Sequence, residues 1–377
     1  MIPDGSPTLV ANLFLLSAGA ILLLLYRWLF RILPGARWQF LAVLPRKKLP
    51  DGSWSGLNLT FYGFFSATAG AIAVACFILL AGSAGADLSV MLVLTVCVLA
   101  ACLPAAKIIA TRVEKNPHGF TVGGASFVGI ILAPVLLWLM DDVARAWFGT
   151  ALPVWPLLAA MAIAYVLGEG IGRLGCISFG CCYGRPLEQV SPTLRNWLAP
   201  HTPIYEGETK KIHFAGGLGG RKVVPIQAIT CLFYTLLALA SMALFFYQQF
   251  VLAFLLALLG SQLWRLYSET LRADFRGQHK QVSVYQAMAL GACLWALAIS
   301  IILPAPGVAV DIRSGMVMLW QPAVLLALQG IWVLMFVYSG SSTITRSQLH
   351  FRLAPDWQSQ AGCDAPATAR GESRQPV

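Results

Sequence analysis

Between Glu169 and Pro186 the chain reads EGIGRLGCISFGCCYGRP, with two arginines, five glycines and three cysteines directly after the apolar run Pro153 to Leu167. Guanidinium groups grip phosphate through paired hydrogen bonds, and glycine lets a backbone approach a ligand closely. Charge at the end of an apolar run is costly in hydrocarbon and marks functional positions. Arg173, flanked by Gly172 and Gly175, is therefore a candidate anion-binding group. Arg185 repeats the pattern beside Gly184. The plainer reading of such arginines is an interfacial positive anchor.

The thiols Cys176, Cys181 and Cys182 form a C-x4-CC array. Adjacent cations activate a thiol, so one reading is a reactive cysteine and another is a structural pair packed under a glycine turn. Zinc sites favour paired C-x2–4-C or Cys/His clusters. This array lacks a second pair, although His201 and His213 follow in the next loop, and no metal or other cofactor is expected. Further along, Arg265, Glu269 and Arg272 fall on one helix face by their spacing. They form either a self-neutralising helix end or part of a charged site. Tyr62 opens an apolar run as FYG, where a tyrosine commonly serves as an aromatic-belt anchor.

These groups have to be positioned by membrane helices. The 377 residues are 58% hydrophobic and 11% charged, with mean hydropathy +0.72, whereas soluble domains carry about a quarter charged residues. Runs of about 20 apolar residues span a bilayer as helices, and none alternates as barrel strands do. The expected spans are Leu9 to Leu25, Phe61 to Leu80, Leu88 to Ala106, Val122 to Met140, Pro153 to Ile171, Pro225 to Tyr247, Phe250 to Trp264, Val284 to Leu303 and Met316 to Tyr338. Residues 186–224 are polar and rich in Gly and Pro, which predicts a headgroup-level loop or small cap. The Ser/Thr, Gln and Pro-rich tail, 341–377, is expected to be disordered. Of the 26 Lys and Arg, only Arg145 and Arg313 fall outside one alternate set of loops plus the tail. The positive-inside rule places that basic face, with the central motif, in the cytoplasm. The net charge of +10 fits orientation and anionic headgroups rather than nucleic acid.

Gly172 to Arg185, GRLGCISFGCCYGR, resembles the signature of bacterial prolipoprotein diacylglyceryl transferases, which reads GRxGN, then a Gly four residues on, an acidic residue and a GR pair. Five further matches keep the family's order. Phe61 to Gly63 resembles its WYG. Gly123, Gly124 and Gly129 resemble its HGG opening, and Pro225 with Gln227 its HPxQ. Arg265, Glu269 and Arg272 resemble its R-x-x-x-E-x-x-R helix end. Ser283 and Gln286 match the start of its last span. The sequence departs at Cys176 for the family's Asn, Cys181 for its acidic residue, and Val122 and Val224 for its histidines; His118 lies four residues before Val122.

The resemblance covers 56–305. It implies an all-α polytopic membrane protein of about nine transmembrane helices. Seven form a transferase-like core with the 186–224 loop. An extra span and basic loop (1–55) precede the core and an extra span (306–340) follows it. It implies residence in a bacterial inner membrane, with the reaction face outside the cytoplasm where the charge count gives the inside, and transfer of a diacylglyceryl group from phosphatidylglycerol, an anionic phospholipid, to the thiol of a protein or peptide acceptor. By resemblance Arg173 and Arg265 would hold the lipid phosphate, with Arg265 positioned by Glu269. Tyr62 would hydrogen-bond the headgroup. Gly172, Gly175 and Gly184 would give backbone access, with Arg185, Gln227 and Arg272 around the lipid. The remaining base candidates are Glu269, Tyr62 or a group of the substrate. The alternative is a non-catalytic phospholipid-binding or thiol-redox protein on the same scaffold.

Overall fold

The structure, a computed structural model, describes residues 7–113, 122–274, 282–304, 307–340 and 350–351. Its helices are α1 Pro7–Ile32, α2 Phe61–Ser83, α3 Leu88–Val113, α4 Val122–Phe148, α5 Val154–Phe179, the short α6 Pro192–Leu198 and α7 Lys211–Phe214, α8 Ile226–Phe246, α9 Phe250–Thr270, α10 Val284–Ile302, α11 Ile312–Leu319 and α12 Pro322–Gly340. Among the described residues, nine are long and apolar enough to cross a membrane: α1 to α5, α8 to α10 and α12. The chain is an all-α polytopic membrane protein.

α5 is the axis of the bundle. It packs against α2, α8, α9 and α4, and 72% of its most apolar window is buried, against 11% for α1 and α12. Lipid is as apolar as leucine, so helices associate in a membrane through small residues that let backbones approach. α5 supplies them. A Cβ on Gly168 would sit 2.8 Å from the Ala73 Cβ of α2, and one on Gly170 2.9 Å from the Tyr234 Cβ of α8.

Several elements differ from the sequence expectation. The fifth span does not stop at Ile171 but runs through Phe179, and Gly180 closes it in the left-handed conformation (φ 70°). The glycines and Arg173 read as a helix end. They are tolerated because neighbouring backbones fill the glycine positions and a carboxylate on the same helix offsets the arginine. The ninth span is broken at Pro322. Pro cannot continue a hydrogen-bonded helix but suits a first helical turn, so α11 ends at Leu319 and α12 starts anew. Asp141 and Asp142, beyond the expected end of the fourth span at Met140, lie inside α4.

The basic loop after α1 forms an antiparallel hairpin, β1 Phe40–Lys48 with β2 Trp54–Thr60, and β3 His350–Phe351 pairs on β2. Thr60 then caps α2, its hydroxyl accepting from the Gly63 amide at 3.2 Å. Residues 186–224 form a cap of short helices. Its Lys210, fully buried, donates from Nζ to the carbonyls of Leu33, at 3.1 Å, and of Ser178. It thereby satisfies the carboxyl ends of α1 and α5, whose last carbonyls lack helical partners. Apart from His350 and Phe351, the expectation for the tail lies outside the described residues, as does His118.

Candidate functional site

Three charged side chains meet where α5 faces α9. Glu169 and Arg173 lie one turn apart on α5 and form an ion pair. Arg265 reaches across from α9, its Nη2 2.7 and 2.6 Å from the two Glu169 carboxylate oxygens. The same nitrogen donates to the Tyr165 hydroxyl at 3.0 Å, and Gln262 Nε2 donates to that hydroxyl at 3.3 Å. Glu169 is only 4% exposed, with Arg173 and Arg265 at 18% and 12%. Two guanidinium groups thus share one carboxylate between two helices long and apolar enough to span a membrane, leaving one net positive charge on the three groups. Nε of Arg173 and Nε of Arg265 are buried without a hydrogen-bond partner. Buried polar groups are nearly always paired, and these two donors are not.

The amino end of α4 makes room for this arrangement. A Cβ on Gly123 would lie 2.7 Å from Arg265 Nη1 and 3.0 Å from the Tyr285 ring. Beside the cluster, α3, α4, α5 and α9 enclose an apolar cavity of about 310 Å³. Leu99, Ile130, Met161, Phe254 and Leu258 line it, and Tyr165 brings its polar tip from the cluster.

The segment after α5 is knitted by backbone bonds. The amides of Arg185 and Ala273 donate to the carbonyls of Leu271 (2.9 Å) and Tyr183 (3.1 Å), and the Val224 amide donates to Arg185 (2.9 Å). Gly184 permits this, since a Cβ there would lie 2.7 Å from the Val224 Cβ. Arg272 is closed onto Asp274 by two bonds, 2.8 and 2.6 Å, with both side chains under 10% exposed. Gln227, 1% exposed, donates to the Cys181 carbonyl at 2.8 Å and leaves its own buried oxygen without a partner.

This knot brings the thiols together. All three sulfur atoms of Cys176, Cys181 and Cys182 lie within 4.8 Å of one another, and Cys176 and Cys182 are 3.9 Å apart. Two left-handed residues make the close turn: Gly180, and Cys182 at φ 56°, a conformation rare for a side chain with a Cβ. Hydrogen bonds from Cys176 and Cys181, backed by the Arg272 and Arg173 guanidinium groups, hold the Cys182 thiol well below the ordinary thiol range. The bonds to Cys176 and Cys182 push Cys181 the other way. Tyr62 from α2 closes the group, its ring edge-on to Phe179 at 6.0 Å.

The structure thus brings together Tyr62, Arg173, Arg265 and the three thiols along α5, with Arg272 and Gln227 in the knot beside them. Three placements differ from the expectation. The carboxylate that holds Arg265 is Glu169, not Glu269, whose charge acts instead on Arg272. Gly175 and Gly184 do not open backbone to a ligand. Their missing Cβ positions are taken by the Tyr62 backbone and by Val224, and Gly172 meets only Ala69, at 3.7 Å. Arg185 has its side chain exposed while its backbone serves the knot. Ser283 and Gln286 form a capping box on α10, and Gln286 donates to the Leu266 carbonyl of α9 at 3.3 Å. Sequence reasoning passed over Glu169, Tyr165, Gln262 and Asp274. For two of them a signal was available, since 165, 169 and 173 are spaced by four and share a helix face.

Residues 53–303 match the family model described as prolipoprotein diacylglyceryl transferase. Neither the curated proteins nor the solved structures contain a match to this chain.

Proposed function

The chain belongs to the prolipoprotein diacylglyceryl transferase family, and from that membership we propose that it moves a diacylglyceryl group from phosphatidylglycerol to the thiol of a protein or peptide acceptor in a bacterial inner membrane. The single observation that carries this reading is the unbalanced positive charge of Arg173, Arg265 and Glu169, with two unpartnered Nε donors, inside the bilayer beside an apolar cavity. A phospholipid offers matching chemistry. Its phosphate would take the free donors and its acyl chain the cavity.

In this reading the acceptor sulfur forms a bond to the terminal glyceryl carbon and the carbon–oxygen bond to phosphate breaks. The electron pair goes to the phosphate oxygen. Arg173 and Arg265 stabilise the charge gathering there, in a site too dry for water to do so. Glu169 and Tyr165 are positioning residues that keep Arg265 extended across the α5–α9 contact. Tyr62, packed on Phe179 beside the thiols, would meet the headgroup, and Arg272, closed by Asp274, shapes the knot.

The test is purified protein with labelled phosphatidylglycerol and a cysteine peptide. Thioether product is expected, falling about a hundredfold or more in Arg173→Ala or Arg265→Ala, the scale on which single charge-stabilising donors act. Absence of product from the wild type, together with unchanged lipid retention in both variants, would sink the proposal. The scaffold would then be a thiol protein without transfer.

A further inference from the structure

We propose that Cys176, Cys181 and Cys182 form a three-thiolate zinc site whose fourth coordination position takes the acceptor thiol. The inference rests on the transfer reading above and supplies what that reading lacks, a means of deprotonating the nucleophile.

Geometry carries it. The three sulfurs lie within 4.8 Å of one another. Sulfurs placed ~2.3 Å from a shared zinc ion and 3.9 Å apart, as Cys176 and Cys182 are, subtend about 116° at the metal. That angle falls between tetrahedral and trigonal. The site is also built at a cost. Cys182 adopts φ 56°, which L side chains with a Cβ avoid. A cysteine serving only as a small apolar filler would need no such turn. Here the turn aims the sulfur back at Cys176 instead of outward. The backbone around it is fixed by the Gln227 bond to the Cys181 carbonyl and by the Tyr183 bond to Ala273. Arg272 and Arg173 flank Cys182 and offset the negative charge that three thiolates bring to one dication.

Three protein ligands are the mark of a zinc site that keeps a position open for chemistry, whereas structural sites fill all four. Among the described residues the cluster contains no His, Asp or Glu. The nearby loop histidine His213 faces the Tyr205 carbonyl at 2.9 Å. Cys176 and Cys181 are buried, and Cys182 is the most exposed of the three, so an entering thiol would approach past Cys182. Cys176 also lies three residues beyond Arg173, about 4.5 Å along the helix. A thiol on the metal would therefore stand one helical level from the guanidinium groups assigned to the lipid phosphate.

The step balances without an oxidant or a side-chain base. An acceptor thiol entering the fourth position gives its proton to solvent, because a coordinated thiol is held deprotonated. Its sulfur then bonds to the glyceryl carbon while the carbon–oxygen bond breaks and the electron pair passes to the phosphate. The thioether product, a weaker ligand than a thiolate, leaves the metal. This reading also accounts for the two thiols found where the family signature has Asn and an acid.

The experiment uses the full-length protein purified in detergent under reductant, loaded with Zn²⁺ and separately with Co²⁺ alone. Elemental analysis is expected to give about one zinc per chain. Cobalt should produce a thiolate-to-metal charge-transfer band, and its visible bands should shift when a cysteine peptide fills the fourth position. Cys182→Ser is expected to lower zinc content at least severalfold, whereas Cys97→Ser, at an exposed site away from the cluster, leaves it unchanged. The wild-type cobalt titration decides even if a cluster variant fails to fold. Zinc below about a tenth of an equivalent, a cobalt spectrum blind to the peptide, or a Cys176–Cys182 disulfide in place of metal would overturn the site. Full transfer by chelator-stripped protein would overturn it while leaving the transferase reading intact. A loaded, peptide-responsive site without transfer would support the metal site and count against the transferase.

Discussion

Two arginine–carboxylate clusters lie at opposite sides of the Cys182 turn, both buried, and they are built to opposite ends. In the knot, one Arg272 meets one Asp274 through two bonds, and the pair is closed and neutral. Between α5 and α9, two arginines share Glu169 and keep a buried Nε each without a partner. Burying charges is expensive, and a neutral bidentate pair is the arrangement that minimises the expense. The membrane cluster declines that solution. Stability does not call for a spare cation between membrane helices, so under the proposed function the difference separates an arginine closed onto its own chain from two arginines that would take an anion.

The largest effect that could break this comparison is on turnover. Arg265→Ala should lower transfer by about 10²- to 10³-fold, and Arg173→Ala comparably, read as labelled product per minute. Replacing the closed pair with Arg272→Met and Asp274→Leu together should leave folding stability nearly unchanged, because a buried pair exchanged whole for apolar side chains is often neutral, and should lower turnover less than either arginine on Glu169, since Arg272 acts only through the charge beside Cys182. Equal losses in both clusters would erase the distinction. Next come the carboxylates singly. Glu169→Gln and Asp274→Asn each strand a buried guanidinium and should cost about 3–5 kcal/mol of stability, measured by denaturant unfolding in detergent. Their effects on lipid should diverge. Glu169→Gln raises the cluster to two net charges and should increase retention of anionic lipid, whereas Asp274→Asn should leave retention unchanged.

How far the sequence showed this contrast depends on which contacts are local. The nine spans were legible from run length and composition. The Glu169–Arg173 pair left a local signal too, as residues four apart on one face, but it was passed over. Arg265 also stands four residues from Glu269, and that local pairing looked sufficient. Its actual partner lies 96 residues earlier, on a helix whose glycines allow the approach. The thiol cluster was hidden for another reason. C-x4-CC becomes compact only because Gly180 and Cys182 both turn left-handed, and nothing in residue type announces a positive φ at a cysteine. The hairpin over Phe40–Thr60 was read as a basic loop, since its charges mask the strand pairing.

A smaller effect tests whether Arg265 is held in place or merely present. Gly123→Ala adds one methyl 2.7 Å from Arg265 Nη1, close enough that the guanidinium must shift. Displacement without loss of charge should lower turnover about tenfold, roughly 1.4 kcal/mol, with lipid retention largely kept. Gly19→Ala, whose Cβ would meet Leu239 Cδ1 at 3.2 Å on α1, away from the cluster and the cavity, serves as the comparison and should cost far less.

The smallest effect belongs to the loop cap, where a buried cation is held only by carbonyls. Burial lowers the Lys210 ammonium from 10.5 to about 8, with Glu206 opposing the shift. Below pH 8 the amine is charged in both folded and unfolded chains, and the full penalty of burying it applies. Between about 8 and 10.5 the unfolded chain binds the extra proton, so stability should rise with pH at up to about 1.4 kcal/mol per pH unit. Above that window the contribution is constant. Lys210→Met removes the titrating group and should flatten this part of the slope. Wild-type and variant urea midpoints compared at pH 8 and 9 give the measurement. Parallel curves would mean that the ammonium is better solvated than its contacts with Leu33 and Ser178 suggest. A difference of the expected sign would show that the Lys210 ammonium is buried at the carboxyl ends of α1 and α5 at a cost in stability.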